Sequence, residues 1–133
     1  MSSFEWPVRV YYEDTDAGGV VYHTSYIRFL ERARTEWLRN LGYSQARLIE
    51  EMGLLFSVVN LEIHYRLPAR LDDLLLIRSE VQDGGGASVN FEQVILRGEE
   101  RQELLRGKVV VACLDAKTFR PRRLPTTLRE EFN

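Results

Sequence analysis

Phe4, Trp6, Val8, Val10 and Tyr12 alternate with Glu5, Pro7, Arg9 and Tyr11 at the start of the chain. A period of two is the signature of a strand with one buried face. Pro7 offers no N–H to a sheet ladder, so this strand belongs at an edge or begins there. The period then changes. Tyr26, Leu30, Ala33, Trp37 and Leu41 recur at spacings of three and four, with Phe29 and Leu38 broadening the stripe, which predicts a helix from Thr24 to Leu41. Gly42 is placed to end it. Ser44 is placed to cap a short second helix from Gln45 to Met52, which Gly53 stops.

From Leu54 onward the pattern reads as strands. Val59, Leu61, Ile63, Tyr65 and Leu67 alternate with Asn60, Glu62, His64 and Arg66, predicting one dry and one wet face, and Pro68 closes the strand. Leu74 to Gln82 and Ala87 to Arg97 flank the turn Asp83-Gly84-Gly85-Gly86. Gly98-Glu99-Glu100 then leads into Leu104 to Leu114, making two hairpins in succession. One strand, a long helix, a short helix and four more strands provide too few crossovers for a parallel sheet. The predicted class is α+β, an antiparallel five-stranded sheet wrapped around a long central helix. The helix carries Arg28, Glu31, Arg32, Arg34, Glu36 and Arg39 outside its apolar stripe, facing water or another subunit. An exposed edge strand and an uncovered sheet face predict self-association.

Composition narrows the function classes. With 133 residues, 44% of them apolar, residues 1–133 form a single domain with one sizeable core. Eighteen basic against twenty acidic side chains give a formal charge of -2, which provides no chain-wide attraction to nucleic acid. The single cysteine, Cys113, lies in an apolar run and has no intrachain partner, which fits a reducing compartment. No apolar run reaches the roughly 18 to 20 residues of a membrane span, and the N-terminus lacks a signal pattern. The expectation is a soluble cytoplasmic protein.

Candidate chemistry concentrates between Tyr11 and Trp37, where an acidic run, two glycines and a histidine precede the long helix. Asp16 stands before Gly18 and Gly19, where the backbone can turn sharply and present helical N–H groups beside a carboxylate. That pairing suits attack on an activated carbonyl. A calcium loop of EF-hand type starting at Asp14 requires an oxygen ligand at Gly18 and a glutamate at Ser25, so the run does not read as one. Zinc has no ligand pair at usable spacing among Cys113, His23 and His64. No metal or cofactor is expected. Asp14 and Glu13 read as solvated or loop-capping residues, and Glu31 and Glu36 as ion-pair partners of Arg28, Arg32 and Arg34.

The segment Tyr11-Tyr12-Glu13-Asp14-Thr15-Asp16-Ala17-Gly18-Gly19-Val20-Val21-Tyr22-His23 closely resembles the signature of hot-dog-fold acyl-CoA thioesterases of the YbgC type, which is associated with the bacterial Tol-Pal system. The resemblance continues through Glu31 to Glu36, Pro68 to Asp73 and Pro121 to Pro125, covering nearly the whole chain. More distantly the chain is similar to 4-hydroxybenzoyl-CoA thioesterases. The resemblance implies hydrolysis of a short aliphatic acyl-CoA, with Asp16 as general base or nucleophile and the backbone N–H of His23 polarising the carbonyl. His23 is thus a catalytic candidate, its ring a secondary one. Tyr12, Gly19 and Tyr22 are expected to contact substrate, and Arg120, Arg122 and Arg123 to meet the CoA phosphates. The family's assembly implies a homodimer or homotetramer with active sites at the subunit boundary, and acyl carrier protein is a second carrier of the thioester. Two other readings stay open: an acyl-CoA or acyl-carrier-protein-binding module without turnover, and a hot-dog dehydratase using His23 and Glu31. The dehydratase leaves Asp16 without a role.

Overall fold

The computed structural model of the chain describes residues 3–130, apart from the side chains of 83–85. Its elements are β1 (Ser3–Arg9), α1 (His23–Asn40), α2 (Gln45–Arg47, continued as a π turn over Leu48–Met52), β2 (Leu54–Tyr65), β3 (Leu74–Gly85), β4 (Ser88–Arg97), β5 (Gln102–Asp115) and α3 (Thr126–Glu130). The strands form one antiparallel sheet in the order β1-β3-β4-β5-β2. The two predicted hairpins are present, and β1 lies at an edge as Pro7 requires. It ends at Arg9, however. Tyr12 belongs instead to a 3₁₀ turn, Tyr12–Asp14, so the apparent alternation runs one turn past the real strand.

Helix α1 begins one residue before its predicted start and lays Tyr26, Phe29, Leu30 and Ala33 against the sheet. Burying each of the larger three stabilises the fold by roughly 1.5–3 kcal/mol. Close approach is possible because β5 has Gly107 beneath the helix: a Cβ there would lie 2.8 Å from Ile63 Cδ1 and 3.5 Å from Leu30 Cδ1. The helix ends in a Schellman motif. Tyr43 N–H bonds Leu38 O and Gly42 N–H bonds Arg39 O, with Gly42 at φ +95°, a conformation a side chain would strain.

Two apolar clusters make up the core. One gathers the N-terminal half of α1 against Val8, Val10, Leu75, Ile77, Ile95, Leu104 and Leu105; the other gathers Leu38 with Leu48, Leu54, Phe91, Val109 and Leu128. Between them, along both α1 and β4, sits a polar link. Arg34 Nη1 donates to Gln93 Oε1 at 2.9 Å, and Gln93 Nε2 donates to Leu30 O and Ser79 Oγ. Arg34 is therefore half-buried, held to Gln93 with Glu31 of its own helix still acting on it. Glu36 forms a surface ion pair, with Arg39 at 2.6 Å rather than with Arg32 or Arg34.

The largest departure is β2. It is the other edge strand, and Val59 is an extra residue at a bulge, with Val58 opposite Val111 and Asn60 opposite Val110. The bulge reverses the side-chain parity. Leu54 and Phe56 pack on the core before it, Ile63 after it. After the bulge the expected facing holds, with Ile63 on the core and Tyr65 against Tyr26, whereas before it the even-numbered residues take that face; as an edge strand β2 still leaves Val59 61% and Tyr65 48% exposed.

Candidate active site at the start of the central helix

A tight turn carries Asp16. Its N–H bonds Val20 O at 2.9 Å, its carbonyl accepts from Gly19 N–H at 3.1 Å, and Thr15 bridges Val21. Gly19 adopts φ +80°, a conformation L side chains rarely take. Asp16 Oδ1 accepts the Gly18 N–H at 2.8 Å, and a Cβ on Gly18 would stand 3.2 Å from that oxygen. Gly18 thus leaves room beside the carboxylate, and Gly19 permits the turn. Asp16 is exposed.

Asp14 holds the turn to the helix. It is 3% exposed; its carboxylate accepts the Tyr11 N–H at 2.9 Å and faces Arg28 at 3.8 Å, while its carbonyl accepts the Tyr22 N–H at 2.8 Å. It is a loop-capping residue as expected, but a buried one, whereas Glu13 is exposed. Tyr22, the residue preceding α1, has no side-chain oxygen close enough to cap, and none does. The N–H groups of His23 and Thr24 meet no acceptor among the described residues. Uncapped donors at the positive end of an 18-residue helix form an anion-binding position.

The histidine ring is exposed, tilted against Tyr22 at a centroid distance of 4.5 Å. Its carbonyl is fixed from β2, where Tyr65 Oη donates to it at 2.8 Å. Tyr65 packs edge-on against buried Tyr26, whose hydroxyl accepts the Ala69 N–H at 2.9 Å. Burial pushes both phenols above their ordinary pKa, so both stay protonated at neutral pH.

The turn bonds Gly19 to Asp16 and leads directly into Tyr22 and His23 at the start of α1. Tyr12, 82% exposed in its 3₁₀ turn, stands on the approach to the loop rather than at a strand end. Arg120, Arg122 and Arg123 lie elsewhere. Arg120 O accepts from Asp115 N–H, Arg122 N–H donates to Cys113 O, and Arg122 Nη1 bonds Met52 O and Gly53 O and faces Asp115 at 3.5 Å. That tail borders the Leu54 end of β2, whereas His23 borders the Tyr65 end, roughly 35 Å away along an extended strand of this length. A cleft of about 360 Å³ opens between the two, over the Phe56–Val58 part of β2, lined also by Glu31, Arg34, Thr35 and Phe91 among others. It does not include Asp16. Burial lowers the Arg34 pKa, and Glu31 opposes that shift.

Tyr65 and Tyr26 are the site-supporting residues that sequence reasoning missed. Tyr26 reads as core because it occupies the helix stripe, and Tyr65 lies 42 residues from the carbonyl it binds. No group of three or more His, Cys, Asp or Glu side chains among the described residues is placed to hold a metal ion. Nor is any helix there long and apolar enough to cross a membrane.

Residues 10–132 match the sequence profile of the thioesterase-like superfamily. The chain belongs to that family. Among similar proteins, an acyl-CoA thioesterase YbgC of Haemophilus influenzae is 47% identical over 132 residues, 99% of this chain and 96% of the relative. The long-chain acyl-CoA thioesterase FadM of Escherichia coli is 37% identical over 112 residues, covering 84% and 83%. In three dimensions the chain superposes on a probable thioesterase from Bartonella henselae with a TM-score of 0.88 at 39% identity, covering 93% of this chain and all of that one. The antiparallel sheet around α1 is therefore the hot-dog fold of this thioesterase family.

Proposed function

We propose that the chain is an acyl-CoA thioesterase that hydrolyses short aliphatic acyl-CoA to the free acid and CoA, with Asp16 as base or nucleophile. The observation that carries this reading is the exposed Asp16 carboxylate on the turn that leads, through the Thr15–Val21 bridge, into the uncapped start of α1 at His23. Thioester hydrolysis needs a group to activate the attacking oxygen and donors for the oxyanion it creates. As general base, Asp16 takes a proton from water while the water oxygen adds to the carbonyl carbon. The oxyanion is held by the His23 N–H, and collapse expels the CoA thiolate, which then takes up a proton. As nucleophile, the carboxylate adds first and expels the CoA thiolate, which takes up a proton, giving a mixed anhydride that water then opens to the free acid and the carboxylate. A general base contributes on the order of 10² to 10⁴ in rate, and one oxyanion donor roughly 2.7–4 kcal/mol.

Assembly completes the site in this reading. Strand β2 has the arginine tail at its Leu54 end, the cleft beside Phe56 to Val58 and the helix start at its Tyr65 end. Two copies paired antiparallel across the middle of β2 bring each copy's cleft and tail beside the other's Asp16. Such pairing covers the exposed Val58, Val59, Leu61 and Tyr65 and makes a homodimer the working unit, open to further pairing as a tetramer. The cleft then takes the acyl group, with Tyr12 and Tyr22 at its approach. Arg120 and Arg123 extend from the tail toward the CoA phosphates, and Arg120 is exposed. The same thioester on acyl carrier protein is a second substrate, and the compartment is the cytoplasm.

Free-thiol release across a series of acyl-CoA chain lengths tests the reading. Turnover should be greatest on short aliphatic chains. Saturable binding with no thiol released at any length identifies a binding module instead. Trapping of labelled acyl-enzyme separates the nucleophile from the base.

A further inference from the structure

We propose that Tyr26 is a positioning residue for the reaction, its phenol oxygen fixing the Asp16 turn relative to the helix start. Tyr26 lies three residues after His23 and is buried. Its hydroxyl accepts the N–H of Ala69 at 2.9 Å, and Ala69 O in turn accepts the N–H of Val21 at 2.9 Å. Val20 also bridges Arg70, and Val20 O receives the Asp16 N–H. A closed circuit results: first turn of α1, Tyr26, Ala69, Val21, Tyr22, and back to His23. The Asp16 turn joins that circuit through Val20 and Val21. Its outer anchor is equally definite, because Arg97 Nη1 donates to Pro68 O at 3.0 Å and Asp73 Oδ2 at 3.2 Å, while Asp73 Oδ2 accepts the Arg70 N–H at 2.9 Å.

Ala69 has no exposed surface, so its N–H has no water to turn to if the phenol oxygen is removed. Burial keeps that phenol neutral, and Tyr65 packs against the ring's edge at 5.7 Å. Phenylalanine at position 26 keeps the packing and leaves the Ala69 N–H unsatisfied. The 69–71 segment then shifts to find another acceptor and carries Val21 and the turn with it. Catalysis is sensitive to such movement, since a displacement of about 1 Å can cost on the order of 10² in rate.

This inference rests on the Asp16 reading, so Tyr26→Phe and Asp16→Asn are assayed together for kcat, KM and thermal unfolding. Tyr26→Phe is expected to lower kcat by between about 10 and 10²-fold and to move KM by less than about twofold, while remaining folded at the assay temperature. Full kcat together with a lowered melting temperature overturns the inference, because the bond is then purely structural. A KM rise that accounts for the whole loss overturns it as well. An inactive Asp16→Asn beside a fully active Tyr26→Phe removes this inference alone, whereas an active Asp16→Asn removes both. Should Tyr26→Phe fail to fold, difluorotyrosine at position 26 keeps the hydroxyl and weakens it as an acceptor. It should lower kcat at unchanged KM, and wild-type kcat in that protein overturns the proposal.

Discussion

Replacing Gln93 with leucine tests how the two halves of the core are joined. The side chain is fully buried and makes three hydrogen bonds: to Arg34 Nη1 at 2.9 Å, Leu30 O at 3.0 Å and Ser79 Oγ at 2.9 Å. Leucine is close in volume and opens no large cavity, so the cost is polar. Two neutral bonds contribute about 1 kcal/mol each, and one to a charged donor about 1.5–3 kcal/mol, giving roughly 3.5–5 kcal/mol. The half-buried guanidinium left behind adds to the cost, because it loses its Gln93 acceptor and keeps only the attraction of Glu31. For a chain of this length that loss lowers the melting temperature by roughly 10–20 °C. Urea and thermal unfolding of Gln93→Leu, Arg34→Met and the double variant separate the contributions. The double variant should recover part of the loss, because it removes the stranded charge. A Gln93→Leu cost below about 1 kcal/mol, or a double variant as unstable as the two singles summed, refutes the reasoning.

Gly107→Val should destabilise by about 1–3 kcal/mol in thermal unfolding, because its side chain is driven between Ile63 and Leu30 where the helix crosses the sheet. Val59→Lys, at the exposed β2 bulge, should leave the fold intact, yield a monomer in sedimentation and abolish thiol release; an associated and fully active variant contradicts the pairing across β2. The Asp115 carboxyl is held below its ordinary pKa by the Thr118 and Lys117 amides, so its contribution to stability is present above the unfolded-state pKa and lost as pH falls through the folded one. Asp115→Ala should therefore melt below wild type at neutral pH, with the gap closing under acid conditions. Cys113, buried with its pKa raised by desolvation, should resist thiol reagents until the protein is unfolded.

Much of the fold was legible because local pattern and long-range packing agree. The apolar stripe of α1, the Gly42 stop and the glycine-bounded hairpins each depend on neighbours in the chain. The turn that carries Asp16 was legible for the same reason, since it is built from its own Gly18 and Gly19. What escaped depends on contacts between distant residues. The bulge at Val59 changes the facing of β2 without changing its hydrophobic pattern. Arg34 looks like a surface residue until Gln93, 59 residues on, draws it inward. Tyr26 and Ala69 join across 43 residues, and neither residue type announces the bond.

Asp16→Asn tests the central claim most directly, because asparagine keeps an oxygen for the Gly18 N–H, bonded at 2.8 Å in the native turn, and removes the charge. Free-thiol release from a short acyl-CoA should fall by on the order of 10² to 10⁴ with the melting temperature and acyl-CoA affinity retained. Turnover close to wild type in a folded Asp16→Asn protein would contradict the account.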